Sequence, residues 1–166
     1  MKKEYLLILG AGGHGQVVRE LAMSLGQFEK IEFLDDNSEK AIGKCEDYLK
    51  FRNEFSCAHA AFGNNVFRMQ WFEKLRQAGF HLPVLIHETA WVSPSATIKE
   101  GTVVLPKAVV NTNAVVEENC IVNCAAVVDH DVKLETSVHI GPGAVVKAPC
   151  VIETCRKVEA GEVIFP

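Results

Sequence analysis

The hydrophobic positions of this chain follow two patterns, which change between residues 86 and 90. Before the change, short apolar runs alternate with stretches whose apolar residues are spaced as on one face of a helix. These patterns predict β-strands at 5–9, 31–35, 57–62 and 82–86, and helices at His14–Leu25 and Asn64–Ala78. Strands that alternate with helices predict a parallel α/β sheet.

From Ala90 onwards the sequence repeats every six residues, beginning AWVSPS, ATIKEG, TVVLPK. The third residue of all thirteen units is Val, Ile or Leu, and the first is small in most of them. A fixed period of six over this length predicts a solenoid, in which each aliphatic side chain stacks on its equivalent in the next coil. The change of pattern predicts two domains, residues 1–86 and 87–166.

Composition and charge restrict the class of protein. The net charge of −4 argues against nucleic acid as the main partner, because phosphate binding favours a basic surface. The apolar run YLLIL at 5–9 is too short for a signal peptide or a membrane span, so we expect a cytoplasmic protein that does not insert into a membrane. The six cysteines form no CxxC pair, and we expect neither disulfides nor a metal site.

The segment GAGGHG, residues 10–15, lies between the first predicted strand and the first predicted helix. This context favours a phosphate group, because free backbone N–H groups and the helix dipole both point to it. Only about 85 residues precede the repeats, which is too few for the two halves of a dinucleotide fold. A small Rossmann-like domain of this size suits a nucleotide sugar with one diphosphate. The alternative is that the glycines only form a tight turn, and that His14 caps it.

The six-residue period is similar to the hexapeptide repeat of left-handed parallel β-helix acyltransferases. That resemblance implies the left hand, and it implies a triangular coil of three units, or eighteen residues. His130 and His139 lie within the repeats and are nine residues apart, which is half of such a coil. We therefore expect the two imidazoles of one subunit on opposite sides of the solenoid. They would share a site only through a neighbouring subunit, which predicts a symmetric oligomer.

Asp129 and Asp131 flank His130. A carboxylate on one imidazole nitrogen fixes the tautomer and raises the basicity of the other nitrogen, as removal of a proton from an amine or hydroxyl requires. The alternative is a solvated histidine among surface acids.

Several motifs together resemble the PglD/NeuD family of bacterial sugar O- and N-acetyltransferases. They are GAGGHG after the first strand, FLDD after the second, LIH before the repeats, and N-x6-H-D and HIGPG within them. The resemblance covers nearly the whole chain. It implies a homotrimer with active sites at the subunit interfaces, which transfers the acetyl group of acetyl-CoA directly to a sugar without a metal. It favours N-acetylation of a UDP-4-amino sugar, because a diphosphate loop and FLDD are both present.

The resemblance also implies roles by position. His130 corresponds to the general base and Asp131 to the acid that orients it, while His139 and Gly143 correspond to the acetyl-CoA site. The implied substrate-binding residues are Gly10, Gly12, Gly13, His14, Asp35, Asp36 and Asn123.

Relatives usually continue beyond the equivalent of Pro166 with coils that line coenzyme A. Two interpretations follow from this difference, a truncated sequence or a short form that binds coenzyme A weakly. Three alternatives stay open at this point. One is O-acetylation of sialic acid or another sugar, and another is a catalytically inactive trimer that binds a nucleotide sugar. The third is an acyl donor other than acetyl, such as a formyl or a longer acyl group.

Overall fold

The computed structural model describes residues 4–166, and the chain divides between Pro83 and Val84 into two compact units. The sequence places this boundary after residue 86, because the apolar run 82–86 reads as a last strand of the first domain. In the structure, Leu85–Ile86 pairs instead with Val103–Val104 of the solenoid. The predicted fourth strand of the N-terminal sheet is therefore wrong. Its apolar residues Leu85 and Ile86 instead form the first strand of the second unit.

The N-terminal unit is a small α/β fold. Its elements, in chain order, are β1 Glu4–Leu9, α1 Gly13–Leu25, β2 Phe28–Leu34, a 3₁₀ helix Cys45–Phe51, β3 Cys57–Ala60 and α2 Asn65–Gln77. Among residues 4–83 the strands form one parallel sheet in the order β2-β1-β3. The three other predicted strands and both predicted helices are confirmed, whereas the 3₁₀ helix was not predicted.

The central strand β1 explains why its sequence is a continuous apolar run. Leu6, Leu7, Ile8 and Leu9 are all fully buried. A central parallel strand covered on both faces needs apolar side chains at every position rather than at alternate ones. The glycine-rich loop follows directly from the last of these residues, so it begins from a rigid part of the fold.

The second unit consists of two-residue strands separated by short corners. The strands are β4 Leu85–Ile86, β5 Trp91–Val92, β6 Thr97–Ile98, β7 Val103–Val104, β8 Val109–Val110, β9 Val115–Val116, β10 Ile121–Val122, β11 Val127–Val128, β12 Lys133–Leu134, β13 His139–Ile140, β14 Val145–Val146, β15 Val151–Ile152, β16 Lys157–Val158 and β17 Val163–Ile164. Each strand from β5 onwards occupies the second and third places of one predicted repeat. The repeat also begins one unit earlier than predicted, at Val84.

These strands form the three faces of a left-handed parallel β-helix. The Leu85 face contains β4, β7, β10, β13 and β16, the Trp91 face contains β5, β8, β11, β14 and β17, and the Thr97 face contains β6, β9, β12 and β15. Paired residues are eighteen apart, as in Val109, Val127 and Val145. The expected coil of three repeats is therefore confirmed.

The repeat positions have distinct physical roles. The aliphatic third residues and the small first residues fill the interior, where Ala126, Val128 and Leu134 are fully buried. The sixth residue turns the corner in the left-handed region, with φ near +60° at Asn113 and Asp131. Asn and Asp tolerate this conformation better than most residues. Its backbone N–H also links neighbouring coils, as Asp131 donates to the Thr112 carbonyl at 2.9 Å.

Candidate active site

The glycine-rich loop is shaped by two close approaches of backbone. Gly10 has a φ of +98°, which a residue with a side chain rarely adopts. A Cβ on Gly15 would lie 2.0 Å from the Gly10 carbonyl oxygen, so the first turn of α1 passes directly against the start of the loop. The first and last glycines of GAGGHG are therefore required by the turn itself.

The middle of the loop is open. A Cβ on Gly12 or Gly13 would meet no atom within 4 Å, and both residues are exposed. No side chain caps the start of α1, and its first turn has no acidic residue. Backbone N–H groups at the start of a helix and the positive end of the helix dipole together favour an anion. His14 is half-buried in the same turn.

Asp35 and Asp36 follow β2, as predicted, and both bond to the protein backbone. Asp35 accepts the N–H of Ala11 at 2.8 Å and that of Asn37 at 2.9 Å. These bonds, the Ala11 bond first, lower the pKa of Asp35. Asp36 accepts the N–H of Cys45 at 3.0 Å. Asp35 therefore holds the glycine loop in place, a role that the sequence reasoning missed.

A buried histidine lies near both His14 and a buried arginine. Arg68 of α2 is almost completely buried and donates to the Phe62 carbonyl at 3.0 Å and to Asn65 Oδ1 at 2.8 Å. His59 of β3 is buried, and burial, followed by the charges of His14 and Arg68, lowers its pKa to about 3. His59 is therefore neutral near pH 7.

His130 lies at the corner between the Trp91 face and the Thr97 face. Its Nδ1 is 2.7 Å from Asp131 Oδ2, and its backbone N–H donates to Asp129 Oδ1 at 2.8 Å. The imidazole is exposed, with 57% of its side-chain surface accessible. An imidazole held at Nδ1 by a carboxylate presents Nε2 as the basic atom. The predicted His130–Asp131 pair is therefore present.

Two asparagines of the preceding coil hold the acids of this corner. Asn111 donates to Asp129 Oδ1 at 3.3 Å, and Asn113 donates to Asp131 Oδ1 at 3.2 Å. Each asparagine precedes its acid by eighteen residues, which is one coil. The coil length is therefore the feature of the sequence that could have identified these two asparagines. The sequence reasoning missed both.

The charges of the corner shift the pKa values of its residues in opposite directions. The hydrogen bond to Asp131, followed by the charges of Asp129 and Asp131, raises the pKa of His130 above 6.5. The bonds from His130 and Asn113 lower the pKa of Asp131. The backbone N–H of His130 is the largest cause of the lowered pKa of Asp129. The acids are therefore ionised near pH 7, and they stabilise a positive charge on His130.

His139 lies on the Leu85 face and contacts Asn123. The Asn123 Nδ2 is 3.1 Å from His139 Nε2, while the Asn123 Oδ1 accepts the backbone N–H of Cys124 at 2.8 Å. The Cys124 bond fixes the orientation of the amide, so its N–H group donates to His139. Nε2 of His139 is therefore unprotonated, and Nδ1 carries the proton. Asn123 thus lies with His139 rather than with His130.

The two histidines of the repeat lie on opposite sides of the β-helix. His139 projects from a face, and His130 occupies the corner opposite that face. The expected separation within one subunit is confirmed. Gly143 lies at a third place, the corner between the Leu85 face and the Trp91 face, where its φ is +65° and its N–H donates to the Cys124 carbonyl at 2.9 Å.

Comparison with known proteins identifies the family of this chain. The family model of the PglD N-terminal domain matches residues 5–75. The solved acetyltransferase domain of PglB from Neisseria gonorrhoeae FA1090, in complex with acetyl coenzyme A, is 41% identical to this chain. That match has a TM-score of 0.91 and covers 98% of this chain and 82% of the other. The chain belongs to the PglD/NeuD family of sugar acetyltransferases.

Two further members of similar fold or sequence extend the comparison. A UDP-N-acetylbacillosamine N-acetyltransferase from Bacillus subtilis (strain 168) is 36% identical over 107 residues, which are 59% of this chain and 50% of the relative. The match thus spans half the length of that curated relative. A perosamine N-acetyltransferase from Caulobacter crescentus, solved in complex with CoA and GDP-perosamine, is 27% identical, with a TM-score of 0.85 over 97% of this chain and 88% of the other.

Across residues 4–166, no helix has the length and apolar character needed to cross a bilayer.

Proposed function

We propose that this chain transfers the acetyl group of acetyl-CoA to the amino group of a UDP-linked 4-amino sugar. The observation that carries the proposal is the His130–Asp131 pair, with 2.7 Å between Nδ1 and Oδ2, at an exposed corner of the β-helix. The names of the relatives support the same reaction class, since one acts as a UDP-N-acetylbacillosamine N-acetyltransferase and another was solved with CoA and GDP-perosamine.

In the proposed reaction, the sugar nitrogen attacks the carbonyl carbon of the thioester. The C–N bond forms, the C–S bond breaks, and His130 Nε2 takes the proton that the nitrogen loses. The same proton then goes to the sulfur, so coenzyme A leaves as a thiol. Asp131 holds the imidazole in the required tautomer and stabilises the imidazolium that forms. The step needs no acyl-enzyme intermediate and no metal.

The N-terminal unit supports a nucleotide sugar as the acceptor. The first turn of α1, which no side chain caps, and the exposed Gly12 and Gly13 together favour a diphosphate. We assign Gly10, Gly12, Gly13 and His14 to the diphosphate. We assign Asp35 and Asp36 to the uridine, since ribose hydroxyls and uracil N–H are donors to carboxylates. A free sialic acid has no diphosphate to occupy this loop.

We place the acetyl-CoA contacts at His139 and Gly143. Asn123 Nδ2 lies 3.1 Å from His139 Nε2, and in this proposal Asn123 positions the His139 imidazole for its contact with acetyl-CoA. Since His130 lies on the opposite side of the same β-helix, the proposed active site combines His130 of one subunit with His139 of a neighbour.

An apolar outer column supports this oligomer. The outward side chains of the Trp91 face are paired in register from coil to coil, and they are Trp91, Val109, Val127, Val145 and Val163. Trp91 is 60% exposed and Val163 is 43% exposed, while the three valines between them are partly exposed. An apolar column that solvent reaches along its whole length is a candidate interaction surface. It borders the His130 corner, and we propose that it packs in a homotrimer.

A thiol-release assay tests the function. Purified chain and acetyl-CoA are mixed with a UDP-4-amino sugar, the matching GDP-4-amino sugar or a free sialic acid, and the acetylated product is identified by mass. We expect fast release with the UDP-amino sugar, slower release with the GDP-amino sugar, and none with sialic acid. Transfer to sialic acid alone would overturn the proposed acceptor. Binding of the UDP-sugar without transfer, measured by calorimetry, would support an inactive binding protein instead.

A further inference from the structure

Three potential metal ligands meet at the amino ends of two strands of the N-terminal unit. Glu4 is at the start of β1, Cys57 is the first residue of β3, and His81 pairs with Cys57 through an isolated parallel bridge. Their ligand atoms all lie within 4.8 Å of one another. The glycine loop follows the opposite, carboxyl end of β1, so this cluster is separate from the proposed substrate site.

The backbone fixes two of the three residues relative to each other. Ala58 donates its N–H to the His81 carbonyl at 3.0 Å, and His81 donates its own to the Ser56 carbonyl at 3.0 Å. His81 is therefore held beside Cys57, although they are far apart in sequence. A search for close cysteine or histidine spacing does not find such a site, which is why the sequence predicts no metal.

The distances suit a tetrahedral zinc ion. Cys57 Sγ and His81 Nδ1 are 3.4 Å apart, and the Glu4 Oε2 is 4.0 Å from the same nitrogen. With a Zn–S distance of about 2.3 Å and a Zn–N distance of about 2.0–2.1 Å, the 3.4 Å separation gives an S–Zn–N angle of about 100°. Glu4 needs to approach by only a fraction of an ångström, and its exposed side chain is able to do so.

Burial and access also agree with an ion. Cys57 is fully buried, whereas Glu4 and His81 are exposed and cover it. Glu4 also lines a cavity of about 540 Å³ that includes Ser56. Because Glu4 and His81 are exposed, the cluster is open to solvent on their side, where a water molecule would serve as the fourth ligand. A thiolate and a carboxylate together balance the double charge of the ion.

We propose that Cys57, His81 and Glu4 form a Zn²⁺ site that stabilises the N-terminal unit. The ion ties the first residues of β1 and β3 to the segment that leads out of α2. Its ligand set of one sulfur, one imidazole nitrogen and one carboxylate oxygen favours Zn²⁺ over Mg²⁺ or Ca²⁺, which prefer oxygen alone.

Cobalt is the direct probe of this site. The metal-stripped chain is titrated with Co²⁺, which gives a thiolate-to-cobalt charge-transfer absorption only when a cysteine is a ligand, and Zn²⁺ is then added to displace it. We expect the band to form and to disappear with zinc, and we expect zinc to raise the Tm. The assay requires neither a sugar nor acetyl transfer, so its result is independent of the proposed function.

Matched variants decide which residues bind. His81→Ala changes an exposed side chain and is expected to fold, while weakening metal binding by about tenfold or more. Cys57→Ser is expected to remove the charge-transfer band. Glu29→Gln, at another acid of the same cavity, and Cys124→Ser, at an exposed thiol elsewhere, are expected to bind as the parent does. Absence of the band in the parent chain, or equal binding by His81→Ala, would overturn the site.

Discussion

Asn113 and Asp131 are eighteen residues apart in sequence, yet the Asn113 Nδ2 lies 3.2 Å from Asp131 Oδ1. Asp131 in turn contacts His130 at 2.7 Å through its other oxygen. The stacking of one coil on the next thus places a donor under the acid that orients the histidine. The geometry of the corner depends on the regularity of the repeat, and not only on neighbouring residues.

Asn113→Gly tests this support. Glycine keeps the left-handed backbone at Asn113, where φ is 57°, and removes the amide that holds Asp131. We expect kcat/KM for acetyl transfer to fall about threefold to tenfold, as for loss of one ordinary hydrogen bond of about 1 kcal/mol at an exposed position. Lys107→Gly is the matched control, because Lys107 has a φ of 61° at the same place of the preceding repeat and lies at a different corner. An equal fall in kcat/KM in both variants would show that glycine acts through the backbone and not through loss of the Asn113 amide.

The pH profile tests the His130–Asp131 pair. His130 accepts a proton only when neutral, and its pKa is raised, chiefly by the bond to Asp131. The kcat/KM is therefore expected to be low at acidic pH and to rise through a pKa above 6.5. Asp131→Asn removes the charge that favours imidazolium, so the rise is expected at lower pH, with a smaller plateau.

The control for this profile is Asp47→Asn. Asp47 is an acid of the N-terminal unit whose pKa is lowered by bonds with Lys50 and the Lys44 backbone. The Asp47→Asn variant is expected to show the rise in kcat/KM at the same pH as the parent chain. If kcat/KM of Asp131→Asn rises at the same pH as that of the parent chain, a group other than His130 controls the rise.

Much of the fold was readable from the sequence because the repeat is strict. The period of six identifies the buried column, and each third residue from Val92 to Ile164 lies where it was predicted. The start of the repeat was not readable. Leu85 and Ile86 are apolar in either fold, and only pairing with Val103 and Val104 assigns them to the β-helix. The 3₁₀ helix 45–51 lacks a helical hydrophobic pattern, and so it was missed.

The candidate site was readable only in part. Local neighbours such as His130 and Asp131 are visible in the sequence. Finding interactions between distant segments requires the coil length, as for Asn111 with Asp129, or the tertiary fold, as for His59 with Arg68. The structural role of Asp35 was hidden because its partner, the Ala11 backbone N–H, lies on another strand–helix connection.

The glycine loop gives a prediction for stability. Gly15→Ala places a Cβ about 2.0 Å from the Gly10 carbonyl oxygen, so the loop or α1 must move. We expect the free energy of unfolding to fall by about 1–3 kcal/mol, and nucleotide-sugar binding to weaken with it. Chemical denaturation and calorimetry measure the two effects. Gly13→Ala, where the added Cβ meets nothing within 4 Å, is expected to leave the free energy of unfolding nearly unchanged.

The interior column of the β-helix gives a second prediction for stability. Leu134 is fully buried, while its neighbour Lys133 points outward and is exposed. Leu134→Ala is expected to lower the free energy of unfolding by about 2–5 kcal/mol, because it leaves a cavity between stacked coils. Lys133→Ala is expected to change it by less than about 0.5 kcal/mol. A small effect at Leu134 would mean that the coils collapse to fill the space.

We propose His130 as the base for direct acetyl transfer to a nucleotide amino sugar. The most direct measurement compares the parent chain with His130→Ala, with thiol release from acetyl-CoA followed in the presence of a UDP-4-amino sugar. We expect the variant to keep the Tm and the affinity for the UDP-sugar, since the side chain is exposed, while kcat falls by about 100-fold or more. Turnover by His130→Ala at the rate of the parent chain would contradict the role of His130 as the base.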